Sequence, residues 1–142
     1  MKVELENGKL VAAANFLYKL KLVRKQSRMR RHLITILDER SKVYQEDKKE
    51  LQEHHSNKDE DGKAIIHGDQ YDIADMVAFS NDLKELNQEK LVIEGGGNRE
   101  MIRTMKEILK KFEDEEYEGA ESEIYDYLCD QFQIDENTEE EE

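Results

Sequence analysis

The chain has 142 residues, no proline and 40% charged side chains, where average usage at this length gives roughly 7 prolines and about 25% charge. Its 35 acidic against 22 basic residues leave a net charge of −13. That balance excludes a general nucleic-acid binder, which needs a positive field to displace counterions, and disfavours docking on an anionic membrane. Length fits one domain, and the missing prolines leave every segment free to be helical. With 37% apolar residues, the core is expected to be thin.

Met1 to Leu5 alternates, with Val3 and Leu5 on one face, and Asn7-Gly8 ends the run as a turn. From Lys9, apolar residues at Leu10, Ala13, Ala14 and Leu17 predict a first helix ending near Lys21 or Leu22. No apolar run in Met1 to Leu20 has the length of a signal peptide or membrane span. Ser27 is the expected N-cap of a second, longer helix with Met29, Leu33, Ile36, Leu37, Val43 or Tyr44, and Leu51 on one face. Its nearly all-charged second half should project from the core or pair with a partner.

Asn57-Lys58-Asp59-Glu60-Asp61-Gly62 is a loop, followed by two short runs joined by Gly68-Asp69, the pattern of a β-hairpin. Asp72 or Asp75 then caps a third helix with Met76, Phe79, Leu83 and Leu86 on one face. Leu91-Val92-Ile93 is a brief strand ended by Gly95-Gly96-Gly97. Asn98 caps a fourth helix carrying Met101, Ile102, Met105, Ile108, Leu109 and Phe112. A fifth, from Ala120 to about Gln133, aligns Ile124, Leu128 and Phe132. The expected fold is therefore α+β, mostly α: about five helices with a long helical hairpin, and a small antiparallel sheet including a β-hairpin near 63–74. Residues 1–133 should form a single domain and 134–142 a disordered acidic tail.

Charge is unevenly placed. Residues 1–45 hold 11 basic and 4 acidic side chains, 46–112 hold 11 and 16, and 113–142 hold 15 acidic and none basic. The segment Lys19 to Arg31 contains seven cations and no acid. Its Arg24, Lys25, Arg28, Arg30 and Arg31 are the candidate partner-binding residues, because arginine bridges carboxylates bidentately and can organise a helix–helix joint. Glu113, Asp114, Glu115, Glu116, Glu118, Glu121 and Glu123 form the alternative candidate surface, since carboxylates spaced along a helix can imitate a phosphate backbone.

Motifs for catalysis are weak. Asn57-x-Asp59-x-Asp61-Gly62 resembles half of a calcium loop, but position twelve is Gly68 where a bidentate glutamate is required. Gly95-Gly96-Gly97-Asn98 lacks a phosphate-binding lysine, and Glu94 would repel phosphate. Glu50 and His54 lie one helical turn apart, yet adjacent His54 and His55 point about 100° apart and cannot share one ion. Cys129, the lone cysteine, falls between Leu128 and Phe132 on an apolar helix and reads as an inert, partly buried thiol. The expectation is a non-enzyme without cofactor or metal, working without direct nucleic-acid or membrane contact.

The ordered string also resembles a known family. Met1-Lys2-Val3-Glu4-Leu5-Glu6-Asn7, Asn15-Phe16-Leu17, Lys25-Gln26-Ser27-Arg28-Met29-Arg30, Lys58-Asp59-Glu60-Asp61-Gly62-Lys63, Val92-Ile93-Glu94-Gly95-Gly96 and Tyr125-Asp126-Tyr127-Leu128 are similar to a domain of unknown function found in small proteins of tailed phages and prophages of Gram-positive bacteria. The similarity runs from Met1 to about Phe132. It implies a phage origin, a place in the cytoplasm of the infected bacterial host and, from family genes near tail and lysis modules, a part in virion assembly. It supplies no catalytic residues. The expected function is that of an accessory protein binding a phage structural protein or a host defence protein, with a homodimer as a further option. The alternative is an acidic inhibitor of a host defence or nucleic-acid-binding enzyme.

Overall fold

The computed structural model describes residues 1–136, so the segment 137–142, most of the expected acidic tail, lies outside the described residues. Strand β1 (Val3–Glu6) leads through a 3-10 turn (Asn7–Lys9) into helix α1 (Leu10–Tyr18), and α2 (Arg24–His55) follows as one unbroken helix. A short hairpin, β2 (Ile66–His67) and β3 (Gln70–Tyr71), precedes α3 (Met76–Gln88) and β4 (Lys90–Ile93). A second 3-10 turn (Gly96–Asn98) then gives way to α4 (Arg99–Lys111) and α5 (Ala120–Phe132). The fold is α+β and mostly α.

Strands fall into two separate two-stranded antiparallel sheets. β1 pairs with β4 in the register Val3↔Ile93 to Glu6↔Lys90, and β2 pairs with β3 across Gly68-Asp69. Gly68 adopts φ +67°, which the tight turn requires and a side chain would resist. Val3 and Leu5 are buried as the alternation predicts. They meet α1, the first half of α2, α4 and α5 in one apolar cluster that includes Leu33, Met105, Leu109, Leu128 and Phe132.

Two helix boundaries differ from expectation, and a third settles on one of the two expected residues. α1 stops at Tyr18, and α2 starts at Arg24 rather than after Ser27; its N-cap is Val23, with no side-chain cap bond. Arg30 replaces such a cap from the other direction: its Nη1 donates to the carbonyls of Leu17 (2.9 Å) and Leu20, satisfying the end of α1 and fixing the joint. Asp75, not Asp72, caps α3 by accepting from the amides of Val77 and Ala78, each at 3.1 Å. Met76, expected on the apolar face of that helix, is exposed, whereas Phe79 and Leu86 are buried.

At 1.5 Å per residue α2 is about 48 Å long, longer than the core it crosses. Beyond Leu37 it buries no side chain. This half is paired by α3, which runs antiparallel to it: His55 Nε2 lies 2.6 Å from Asp82 Oδ2, and the Tyr44 hydroxyl donates to Asn87 Oδ1. The long helical hairpin is thus α2 and α3, an arm with β2–β3 at its far end. Its buried apolar residues, Phe79 and Leu86, stand outside the main cluster.

One buried polar residue ties arm to body. Asn7 is 4% exposed. Its Oδ1 accepts from Arg40 Nε of α2 and its Nδ2 donates to the carbonyl of Leu86 in α3, both at 2.9 Å. Its amide donates to the carbonyl of Glu89.

Aromatic packing gives the body a pH limit. Tyr125 is buried, donates to the Leu109 carbonyl at 2.7 Å and stacks on Tyr117 at 4.7 Å. Burial raises its phenol well above the ordinary tyrosine value, and does the same to Tyr117. A raised folded-state pKa means that the native state keeps its proton after the unfolded chain has lost it, so stability is full below the unfolded value of about 10 and falls as pH rises past it. Urea midpoints at pH 9 and pH 11 should show that drop, smaller in Tyr125→Phe than in the parent. Equal drops would remove Tyr125 as a cause.

Candidate partner-binding surfaces

The basic joint is divided between structural and open side chains. Arg30 is half-buried and occupied by the α1 carbonyls. Lys25 bridges to Glu100 of α4 at 2.7 Å, and that contact holds the Glu100 carboxyl below the usual carboxylate range. Arg24, Arg28 and Arg31 are exposed along the outer face of α2, as their spacing of four and three residues dictates. Arg24 adopts φ +52°, an uncommon backbone for a residue with a Cβ. Of these five candidates, therefore, Arg30 is held by the fold, Lys25 is exposed but paired with Glu100, and Arg24, Arg28 and Arg31 point outward.

The acidic candidates follow a similar division. Glu113, Asp114, Glu115, Glu116 and Glu118 are exposed in the connection between α4 and α5, and Glu123 is exposed on α5. Glu121 is half-buried and pairs with Lys19 at 3.0 Å; Glu113 pairs with Lys110 at 3.5 Å. Lys19 with Glu121 brings the basic joint beside the acidic connection. Tyr117, edge-on to Phe16 at 5.3 Å, anchors that connection to the core.

A surface that the sequence pattern did not single out lies along the arm. Asp47 and Glu50 of α2 and Asp82, Glu85 and Glu89 of α3 line a groove of about 600 Å³ beside Leu51 and Leu86. The signal was present as carboxylates at helical spacing in each helix, but the pairing of the two helices is what brings them to one groove. At the arm's far end Ile66, Met76 and Val77 are 50%, 59% and 72% exposed.

The residues weighed for chemistry have other uses. Asp59 Oδ1 accepts from the amides of Asp61 and Lys63, closing its own turn, and Asn57 donates to Asp72. His55 is bound to Asp82 and packs edge-on to Phe79, while His54 lines the arm groove. Among the described residues no group of three or more His, Cys, Asp or Glu side chains is arranged to hold a metal ion, and no helix is long and apolar enough to cross a membrane. Cys129 is half-buried; burial pushes its thiol up by more than its contact with Tyr125 lowers it, and Asp126, Asp130 and Asp135 add to the rise, away from the thiolate a nucleophile needs.

The sequence profile of a family described as a protein of unknown function, DUF1617, matches residues 1–140. No curated protein and no solved structure matches the chain with significance.

Proposed function

The chain belongs to the DUF1617 family of proteins of unknown function, and from there we propose that it is a non-enzymatic phage accessory protein that binds another protein during infection or virion assembly. The arm carries this reading. A 32-residue helix whose second half has no fully buried residue and rests on one short helix gains little from its own fold and offers much surface. Exposed apolar side chains at the arm's far end, and exposed arginines where α2 begins, Arg28 and Arg31, supply the anchors and the charge that protein interfaces use. The likeness of the ordered motifs to small proteins of tailed phages supports the phage setting and the cytoplasm of an infected cell.

Capture from phage-infected cells, read by mass spectrometry, tests this. The parent chain should retain a virion protein. Arg28→Glu with Arg31→Glu, or Met76→Asp with Val77→Asp, should weaken that complex about tenfold, a loss of about 1.4 kcal/mol. Retention of a host nuclease instead, lost on neutralising Glu113 to Glu118, would favour the mimicry reading, for which the exposure of that run is the supporting observation. A stable chain that retains nothing would overturn both.

A further inference from the structure

Strand β4 has one edge on β1 and, among the described residues, no strand on the other. The register settles which groups lie on that open edge. Asn7, one residue beyond Glu6, donates its amide to the Glu89 carbonyl, so Leu5↔Leu91 and Val3↔Ile93 are the pairs that exchange backbone hydrogen bonds, and Lys90 and Val92 turn their amides and carbonyls outward. β1 shows the same alternation: the Glu6 amide faces away from β4 and is taken by the Tyr127 hydroxyl at 2.9 Å. On β4 nothing plays that part, because among the described residues no group bonds to the outward amides and carbonyls of Lys90 and Val92. Val92 is 47% exposed, and Lys90 and Glu94 are exposed on either side of it. Beyond Glu94 the chain turns at Gly95, φ +98°, and a Cβ at Gly95, Gly96 or Gly97 would have no neighbour within 4 Å. The end of the strand is therefore uncrowded.

An open edge with unpaired amides is a template for another strand. The run Lys90-Leu91-Val92-Ile93-Glu94 selects which one. Laid antiparallel on itself about a two-fold axis at Val92, it sets Val92 opposite Val92 and Lys90 opposite Glu94, with outward amides facing outward carbonyls. Moving the axis one residue either way puts Lys90 or Glu94 opposite Val92 and loses the charge pairs, so the register is specified as well as the partner. We propose that a second copy of this chain pairs along β4, joining the two β1–β4 sheets into one four-stranded antiparallel sheet across a two-fold axis. Lys90 already lies 3.4 Å from Glu4, and in the pair its ammonium stands between that carboxylate and the second copy's Glu94. The proposal uses neither the joint nor the arm, and it stands or falls apart from the functional reading above.

Amide hydrogen exchange of the intact chain across a concentration series, alongside sedimentation velocity, tests it. The Lys90 and Val92 amides should exchange freely in the monomer and slow as the dimer forms, while the Leu91 and Ile93 amides, held by β1, are slow throughout. Val92→Pro removes only an outward donor, which an edge strand tolerates, and should leave a monomer with an unchanged circular dichroism spectrum. Lys90→Glu should raise the concentration for half association about tenfold, because like charges then face each other on both sides of the axis. Adding Glu94→Lys to it should restore the parent's association, a rescue that does not depend on the proline variant folding. A chain that sediments as a monomer at millimolar concentration would overturn the proposal. So would a dimer in which the Val92 amide still exchanges freely, or a double exchange that stays as weak as the single one.

Discussion

Replacing Phe132 with alanine is expected to lower the free energy of unfolding by about 3–5 kcal/mol. Phe132 is fully buried in the last turn of α5 and belongs to the cluster shared with β1, α1 and α4. Removing the ring takes its apolar area out of the core and leaves a cavity that helices already tied by Tyr125 and Tyr117 can close only in part. A domain of this size holds about 5–15 kcal/mol, so one side chain accounts for a large share of the whole. Urea denaturation followed by circular dichroism measures it. A loss below about 1 kcal/mol would mean that the end of α5 is not packed as described.

Asn7→Ala should also destabilise the chain, because the amide serves two helices at once. Without it the Leu86 carbonyl keeps only the Glu89 amide and the half-buried Arg40 guanidinium loses its Asn7 acceptor, at about 1–3 kcal/mol in all. The loss should be uneven in space. Amide exchange in α3 is expected to quicken far more than in α4, since Asn7 joins the arm to the body while α4 packs without it. Equal quickening in both helices would show that arm and body unfold as one unit and that Asn7 is no hinge point between them. Asn7→Asp discriminates further: it keeps the acceptor for Arg40 but sets a carboxylate against the Leu86 carbonyl, so it should free α3 while leaving the contact to α2.

Much of this molecule was legible in its residues one segment at a time. Apolar spacing placed the five helices, Gly68-Asp69 placed the hairpin, and Val3 with Leu5 marked the strand that is buried. These succeed because periodicity and turn chemistry act over a few residues. Helix starts were less legible: Ser27 has the chemistry of an N-cap, yet the helix begins at Arg24, because Arg30 reaches back to the carbonyls of α1 and fixes the joint from inside α2. Met76 continues the apolar spacing of α3 but is exposed, because α3 lies on a helix and not in the body of the core.

The candidate surfaces divide along the same line. Composition by itself determined a helical, acidic chain with a cationic segment near its start and carboxylates at its end, and the sequence profile determined its family. Which of those charges face outward was decided only by tertiary structure. Arg30 is spent on carbonyls and Glu121 on Lys19, and Lys25 pairs with Glu100 at the surface, whereas Arg24, Arg28 and Arg31 stay exposed. The acidic groove of the arm likewise exists only once α2 and α3 pack. Local pattern fixes which face of a helix is apolar; which helix covers that face, and which charges then meet, depends on contacts between residues far apart in the chain.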